Sequence, residues 1–408
     1  MRSVKFQFAW VSAGRLLGAA LQALTLVLVA RRLGPEEFGL LGAVIAAAMI
    51  PQVVCDLGLG TLILKARAIE PNNRTVAVAL KLNRVTSIVG SLVFAVGVGA
   101  LAFFFDSRFY WMLPLAVWVG AEKNADVSAG VLIADGRAHL SSVLLFGRRA
   151  MILLSTIGFL ALDFNAAFAF SLASAGSSLV AAVVTGVLVS KRVQPARLGG
   201  VRRLLERARP YWIHSMATQV RSVDTLATAA LAGPVQAGYY TAASRVTNPL
   251  RIVPTSLAAV LLPELARSSG VMSASTRKGI IALLIALGGL FAVLAAGAPW
   301  YVPLVLGSAY DGAILPLQIV LIGLVFGSAA SMLVSVLQAR GLQASVGRIS
   351  IGSSLVYLVC LAVTAPVWGA TGAALSLSLS FIVQSLLLLT RTLRAPSRLN
   401  RAREKVSA

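Results

Sequence analysis

Long apolar runs separated by short polar links are the feature that most constrains this chain. A helix needs about 20 apolar residues to cross the hydrocarbon core of a bilayer. That length predicts twelve spans in the 408 residues, at 8–30, 39–64, 85–105, 111–134, 141–162, 166–190, 210–232, 238–262, 279–298, 312–337, 346–365 and 370–393. Only 12% of the residues are charged, against about 25% in a soluble domain. We therefore expect an all-α polytopic membrane bundle.

The basic residues are distributed unevenly between the two sides that these spans would define. The formal net charge is +22, yet one side carries only Arg31, Arg32 and Arg108. The widest link, 191–209, and the C-terminal tail lie on the other side. Basic loops stay in the cytoplasm, which predicts that both termini are cytoplasmic. The excess charge is then explained by topology and by attraction to anionic lipid headgroups, and nucleic acid is not an expected partner.

Two echoes in the sequence divide the chain into halves. The segment ARRLGPEEFGLLG (30–42) returns as LAGPVQAGYYTA (231–242), with the Gly-Pro pairs and the later glycines in register at a shift of 199 residues. A second echo relates VLIADGR (131–137) to VLQARGL (336–342). We expect an N-terminal lobe of six spans at 1–200 and a C-terminal lobe with a basic tail at 201–408. Two lobes of like orientation are related by an axis along the membrane normal, as in known transporters.

Glycine-proline pairs should break the helices at these echoes. Proline has no amide hydrogen to donate, and glycine tolerates the backbone of a turn. We therefore predict helix breaks at Gly34-Pro35 and at Gly233-Pro234.

The sequence lacks the usual signatures of an enzyme or a metalloprotein. It contains no GxxxxGK[ST] loop for a nucleotide phosphate. Its two cysteines, Cys55 and Cys360, lie inside apolar runs, and its two histidines are His139 and His214. We expect no catalytic residue, no metal site and no cofactor.

The order and spacing of several motifs resemble one transporter family. The first helix ends in the pattern AR-x-LGP-x-x-FG, and the second half contains VDTLATAALAGPVQAGYYTAASRV (223–246), VLGSAYDGAILPLQI (305–319) and WGATGAALSLSLS (368–380). This arrangement resembles the oligosaccharide (O-antigen-type, Wzx-like) lipid flippases of the MOP superfamily, which also contains the MATE drug exporters. Twelve spans differ from the fourteen of the peptidoglycan-precursor branch. The link after the second span also lacks the major-facilitator pattern GxxxDRxGRR.

The resemblance implies a fold and a function. Two six-helix bundles would surround a central cavity that opens alternately to each side. The cargo would be a polyprenyl-pyrophosphate-linked oligosaccharide of the undecaprenyl type, moved across the bacterial inner membrane for biosynthesis of lipopolysaccharide, capsule or exopolysaccharide. Membrane lipids and other polysaccharide-assembly proteins are the further partners that it implies.

Buried cations are the first group of candidate site residues. Charged groups inside a span are costly unless they face a cavity or a partner. Arginine suits a pyrophosphate because its planar fork donates bidentate, charge-assisted hydrogen bonds. The hypothesis assigns this role to Arg15, Arg221, Arg245 and Arg251. For Arg221 a purely structural role is open as well, a pair with Asp224 three residues on.

Buried carboxylates are the second group. The candidates for ion coupling, or for a polar cavity wall, are Asp56, Glu122, Asp126 and Asp224. Glu122 and Asp126 share a helix face because they are four residues apart. They could form a proton or sodium site, contact glycan hydroxyls, or form a packing salt bridge to an arginine of span five or span one. Span five carries Arg148 and Arg149, which could serve the site or simply snorkel.

Two other function classes compete with a flippase. A MATE-like ion-coupled antiporter of small molecules would require a cavity dominated by carboxylates, whereas arginines outnumber carboxylates among the buried groups. A membrane enzyme or a scaffold of polysaccharide assembly would require a large extracytoplasmic loop, and none is predicted. The sequence leaves the sugar, the pathway and the coupling ion open.

Overall fold

The computed structural model describes residues 4–70, 74–194, 199–219, 223–267, 274–340 and 342–394. These residues form helices and no β-strand. The α-helices are α1 (Val4–Val54), α2 (Leu59–Ile69), α3 (Arg74–Phe104), α4 (Leu115–Ala134), α5 (Ala138–Ala161), α6 (Ala166–Ser190), α7 (Val201–Gln219), α8 (Asp224–Ala232), α9 (Pro234–Arg267), α10 (Ala274–Leu306), α11 (Ile314–Ala339) and α12 (Gln343–Arg394). Short 3-10 helices, Ser107–Met112 and Ser308–Ala313, precede α4 and α11. The all-α prediction is confirmed.

Glycines with positive φ divide the longest helical segments. α1 breaks at Gly34 (φ 73°, ψ 173°), and α12 breaks at Gly369 (φ 55°, ψ −131°). Gly233 (φ 86°) separates α8 from α9. Only glycine adopts such φ values without a steric penalty. The predicted breaks at Gly34-Pro35 and Gly233-Pro234 are therefore confirmed, and the two arms of α12 correspond to the last two predicted spans.

The second predicted span is divided between two helices. α1 ends at Val54 and α2 begins at Leu59, after a turn in which Leu57 has φ 49° and Gly58 has φ 71°. The side chain of Asp56 satisfies this turn, because its Oδ2 accepts a hydrogen bond from the Gly58 amide at 3.0 Å. Within the seventh predicted span, α7 (Val201–Gln219) and α8 (from Asp224) lie on either side of residues 220–222, which are outside the described residues. The prediction of a single helix at 39–64 was wrong, and the single span at 210–232 stays a prediction.

Length and composition identify the helices that can cross a membrane. In the described part of the chain, seven helices are long and apolar enough, and two of these are α1 and α12, whose two arms correspond to two predicted spans each. Large aromatic side chains are exposed at the helix ends away from the basic links, with Phe103, Phe104, Phe105 and Trp300 between 74% and 81% accessible. Such exposure suits lipid rather than water, and the chain is a multi-pass membrane protein.

By contacts, the helices form two compact units. Unit 1 comprises Met1–Leu33 and Leu40–Leu226, and unit 2 comprises Gly34–Gly39 and Ala227–Ala408. α7 belongs to unit 1 because it packs on the break between α1 and α2. A Cβ on Gly58 would overlap the backbone of Ala208 and Trp212, and Trp212 Nε1 donates to the Val53 carbonyl at 3.3 Å. The lobe boundary at residue 200 stays a prediction about the sequence repeat.

Each unit is built around one helix that contacts most of its neighbours. In unit 1 α4 packs on α2, α3, α5 and α6, and in unit 2 α11 packs on α9, α10 and α12. These two central helices end in the echoed segments VLIADGR and VLQARGL. The second echo therefore falls on corresponding positions of the two units.

In both units a guanidinium ties the end of the central helix to the C-terminal end of another helix, α6 in unit 1 and α12 in unit 2. In unit 1 Arg67 donates to both carboxylate oxygens of Asp135, at 2.7 and 3.2 Å, and to the carbonyl of Arg192 at 3.2 Å. In unit 2 Arg340 Nη1 donates to the Thr392 carbonyl at 2.7 Å. Carbonyls at a helix C-terminus lack intrahelical donors, so both arginines satisfy groups that the helices leave open.

The first echo forms a reciprocal contact inside unit 2. Residues 34–39 pack against the start of α9, so closely that a Cβ on Gly39 would overlap the Pro234 carbonyl and a Cβ on Gly238 would overlap the Pro35 carbonyl. A shift of 199 residues converts residue 39 to 238 and residue 35 to 234. The contact of 39 with 234 is therefore the counterpart of the contact of 238 with 35. The predicted register of the repeat is therefore visible as a symmetrical contact.

We expect Gly39→Ala to destabilise the protein by about 1–3 kcal/mol, the usual cost of overpacking a tight contact. The measurement is the thermal midpoint of the purified protein in detergent. Gly97→Ala is the matched control, because Gly97 is also helical and a Cβ there would meet no atom within 4 Å. Equal midpoints for the two variants would contradict the close approach of the backbones.

Candidate functional site

α4 positions charged side chains on two sides of unit 1. Glu122 and Asp126, one turn apart, lie toward α5, whereas Lys123 is turned about 100° away and lies toward the break between α1 and α2. The interior of unit 1 therefore contains two polar clusters with α4 between them. We define the α4–α5 cluster as Glu122, Asp126, Arg148 and Arg149.

Consecutive arginines of α5 neutralise the two carboxylates of α4. Arg148 contacts Glu122 at 3.1 Å and Asp126 at 2.9 Å, and Arg149 contacts the same oxygen of Glu122 at 2.8 Å. The side chains of Arg148 and Glu122 are only 3% and 9% exposed. The structure thus forms the salt bridge to span five that was one of the open alternatives. It also shows that Arg148 is engaged in the interior and does not snorkel.

A cavity of about 220 Å³ opens beside this cluster. α1, α4, α5 and α6 line it, and its polar side chains are Arg15, Asp126, Ser141, Ser142, Arg148 and Thr185. The Asp126 side chain is 60% exposed although it is paired with Arg148, because it borders this space. Ligand pockets for drug-sized molecules measure about 300–1,000 Å³. This cavity therefore suits one charged group or one sugar ring rather than a whole oligosaccharide.

Arg15 is the available cation of the cavity. It lies on α1 and is exposed, and within the described ranges its guanidinium has no hydrogen bond or ion pair. By contrast, Arg148 is committed to two carboxylates. α1 is fixed beside α5 at this level because Ser142 Oγ donates to the Trp10 carbonyl at 2.9 Å and a Cβ on Gly14 would crowd Ser142.

The other predicted site residues lie elsewhere. Asp56 is in the turn between α1 and α2. Asp224 begins α8, where its Oδ1 accepts from the Thr225 amide at 2.7 Å. Arg221 lies outside the described residues. The roles predicted for these three groups stay predictions.

The two arginines predicted on span eight belong to unit 2. Arg245 is half-buried on α9, and the Arg251 guanidinium lies 5.4 Å from the ring centre of Phe381, a cation–π distance. Six residues separate them on one helix, so their side chains leave α9 about 120° apart. They do not form one binding face by themselves, and their contribution to a pyrophosphate site stays a prediction.

Sequence reasoning noted Arg148 and Arg149 but did not include them among the site residues. The available signal was their spacing, because two adjacent arginines in one span can meet two carboxylates that share a face of the preceding span. Lys123 was also left out, since nothing in its sequence neighbourhood identifies its partners.

Comparisons with known proteins agree with this architecture. Residues 6–113 match the family model described as "Polysaccharide biosynthesis protein". No curated protein sequence matches the chain. Among solved structures, the lipid II flippase MurJ in an inward closed conformation superposes with a TM-score of 0.72 at 14% identity, over 95% of this chain and 88% of that one.

Two other solved transporters show the same similarity. An inward-facing multidrug-resistance MATE transporter of the MOP superfamily gives a TM-score of 0.67 at 15% identity, over 96% of both chains. A MOP superfamily transporter from Pyrococcus furiosus, described as having a binding pocket of reversed polarity, gives 0.64 at 14% identity, over 95% and 94%. The chain has the MOP transporter fold. This finding and the family model confirm the resemblance that the sequence motifs indicate, while identities this low show the fold alone.

Within the MOP fold, the α4–α5 cluster should behave as one energetic unit. Removing one partner of a buried ion pair costs about 3–5 kcal/mol, because the other charge is left uncompensated. We therefore expect Glu122→Gln to lower the thermal midpoint strongly, and Glu122→Gln combined with Arg149→Met to cost less than the sum of the two single changes.

The control is Arg202→Gln, which removes an exposed ion pair between Arg202 and Glu206. The Arg202 side chain in this pair is 93% accessible. Exposed helical pairs contribute only about 0.3–0.5 kcal/mol, so this midpoint should hardly move. Additive losses in the Glu122 and Arg149 cycle would contradict direct pairing.

Proposed function

We propose that this protein flips a polyprenyl-pyrophosphate-linked oligosaccharide across the bacterial cytoplasmic membrane by alternating access, for polysaccharide biosynthesis. The observation that carries the proposal is the guanidinium of Arg15, unpaired among the described residues, at the edge of a small polar cavity in a MOP fold. The family model for polysaccharide biosynthesis includes this arginine and supports the same pathway class. The MurJ structure supports a lipid-linked sugar as the type of cargo.

The chemistry of the cavity suits a phosphate next to a sugar. A guanidinium presents paired N–H donors that match two phosphate oxygens, and such charge-assisted bonds are shorter and stronger than neutral ones. Asp126 and the hydroxyl groups of Ser141, Ser142 and Thr185 line the same space and suit the hydroxyls of a sugar. The lipid tail can stay in the bilayer while the headgroup crosses. We propose that Arg221, Arg245 and Arg251 also bind the pyrophosphate.

The proposed topology places the cavity in the cytoplasmic half of unit 1. Ile133 near the end of α4 and Ser141 near the start of α5 line it, beside the basic links that we assign to the cytoplasm. Both termini would be cytoplasmic, and the carrier would be undecaprenyl pyrophosphate. A membrane potential that is negative inside favours outward movement of an anion by about 2.3 kcal/mol per charge per 100 mV, so the potential itself can give direction.

An antiporter of small cations is the second candidate, and Asp126 is the observation that favours it. Its carboxylate is 60% exposed on the same cavity and could bind an organic cation. The two candidates differ in the group that contacts the cargo, because an anionic cargo requires Arg15 and a cationic one requires Asp126. Transport assays on variants of these two residues separate them.

The experiment is flipping of fluorescent undecaprenyl-pyrophosphate oligosaccharide in sealed proteoliposomes. Hydrogen bonds to charged groups contribute about 1.5–3 kcal/mol, so Arg15→Ala should slow flipping about 10- to 100-fold. Arg15→Lys should recover only part of the rate because ammonium lacks the bidentate fork. Arg202→Ala, an exposed arginine in unit 1, should keep the wild-type rate.

Each result has a distinct meaning. Unchanged flipping by Arg15→Ala would remove Arg15 from the site and leave the flippase standing. Failure of the wild type to flip any lipid-linked sugar, together with cationic dye exchange that Asp126→Asn abolishes, would establish the antiporter instead.

A further inference from the structure

The second polar cluster of unit 1 contains a buried ammonium. Lys123 is 8% exposed, and its Nζ is inaccessible to solvent and has no hydrogen-bond acceptor among the described residues. A charge that is taken out of water is costly unless it is paired or hydrogen-bonded. This position therefore requires an explanation from its surroundings.

Asp56 provides an opposite charge on the same side of α4 as Lys123. One of its carboxylate oxygens, Oδ2, accepts from the Gly58 amide. The other, Oδ1, would lie 3.8 Å from a Cβ built on Gly60, and the same Cβ would lie 3.5 Å from a methyl group of Val127. Val127 is one turn from Lys123 on α4, so Asp56 Oδ1 faces the side of α4 that carries the ammonium. Among the described residues no direct ion pair joins Asp56 and Lys123.

α3 adds two oxygen acceptors next to the same turn of α4. Asn83 and Ser87, also one turn apart, are 0% and 4% exposed, and in the described part of the chain both Asn83 Oδ1 and Ser87 Oγ lack a hydrogen-bond partner. Their contacts on α4 flank Lys123. A Cβ on Gly120 would overlap the Ser87 backbone, and Asn83 Nδ2 donates to Asn124 Oδ1 at 3.4 Å.

We propose that Asp56, Asn83 and Ser87 form a monovalent-cation site whose positive charge is supplied by the Lys123 ammonium. Carboxylate, amide and hydroxyl oxygens are the donors that hard cations prefer, and three such groups lie on the side of α4 that carries this buried ammonium, none of them within hydrogen-bond distance of its Nζ. The tethered ammonium takes the place of a sodium ion from solution. When Lys123 is replaced by a neutral residue, the oxygens are left without their cation and the site accepts Na⁺.

The consequence for transport rests on the proposed function. With its cation built in, the wild-type protein needs no sodium gradient to flip its cargo, and the membrane potential can supply the direction. The binding claim itself stands independently of the cargo, because it concerns only the groups around Lys123.

The test is thermal stability of the purified full chain in detergent, in NaCl, KCl or choline chloride at equal ionic strength. The wild-type midpoint should be the same in all three salts. Lys123→Met should melt lower in choline chloride and should rise by several °C, saturably, with added NaCl, since a ligand that binds only the folded state stabilises it. Lys123→Met combined with Asp56→Asn should lose the sodium response.

Two results would overturn the proposal. One is a saturable sodium-dependent rise in the wild type, which would mean that a cation from solution already binds there. The other is a Lys123→Met midpoint that is indifferent to both NaCl and KCl, which would mean that only water fills the site. A response to KCl alone would support the site and assign it to the larger ion. Arg202→Gln, which changes a distant exposed charge, controls for general salt effects.

A second comparison covers the case in which Lys123→Met cannot be purified. Asp56→Asn alone leaves the ammonium uncompensated and should destabilise the protein. Asp56→Asn with Lys123→Met should be more stable than Asp56→Asn alone, and additive losses would overturn the proposal. None of these measurements uses a lipid-linked sugar, so failure of the flippase assay and failure of the cation site are distinguishable.

Discussion

The need to neutralise charge inside an apolar bundle determines how unit 1 is organised. α4 carries two acids and a lysine within five residues, so it cannot face lipid on either of those sides. Arg148 and Arg149 cover one side, and Asp56 with the polar groups of α3 covers the other. α4 is therefore held at the centre of its unit. The exposed carboxylate of Asp126 borders the cavity that Arg15 also lines.

The helices could be predicted from the sequence because a bilayer fixes their length and forbids unsatisfied backbone groups. Two of the helix breaks could also be predicted, because Gly-Pro pairs interrupt a helix by covalent geometry. The break at 55–58 was missed because Cys55, Leu57 and Gly58 continue an apolar run. The helix ends there because Asp56 accepts a hydrogen bond from the Gly58 amide and because α7 packs closely against this turn. Neither feature is visible in hydropathy.

The candidate site was only partly predictable, and the reason is physical. Spacing along one helix showed that Glu122 and Asp126 share a face. Whether they form a free ion site or a salt bridge depends on which face of α5 is turned toward α4. The pattern of apolar residues in the sequence does not specify this rotation. Arg15 was identified because a charge inside a span requires a reason. Lys123 carries the same signal, but its partners come from α3 and from the α1–α2 turn, so only the packed structure brings them together.

The reciprocal contact between Gly39 and Gly238 has an evolutionary consequence. Each glycine packs against the carbonyl of the proline in the other's motif, in the manner of the self-complementary interface of a two-fold dimer. If the chain arose by duplication, one ancestral glycine acquired both roles at once, and the two descendants have since been constrained together. A larger residue at either position would separate the same pair of backbones, so related sequences should retain both glycines or lose both.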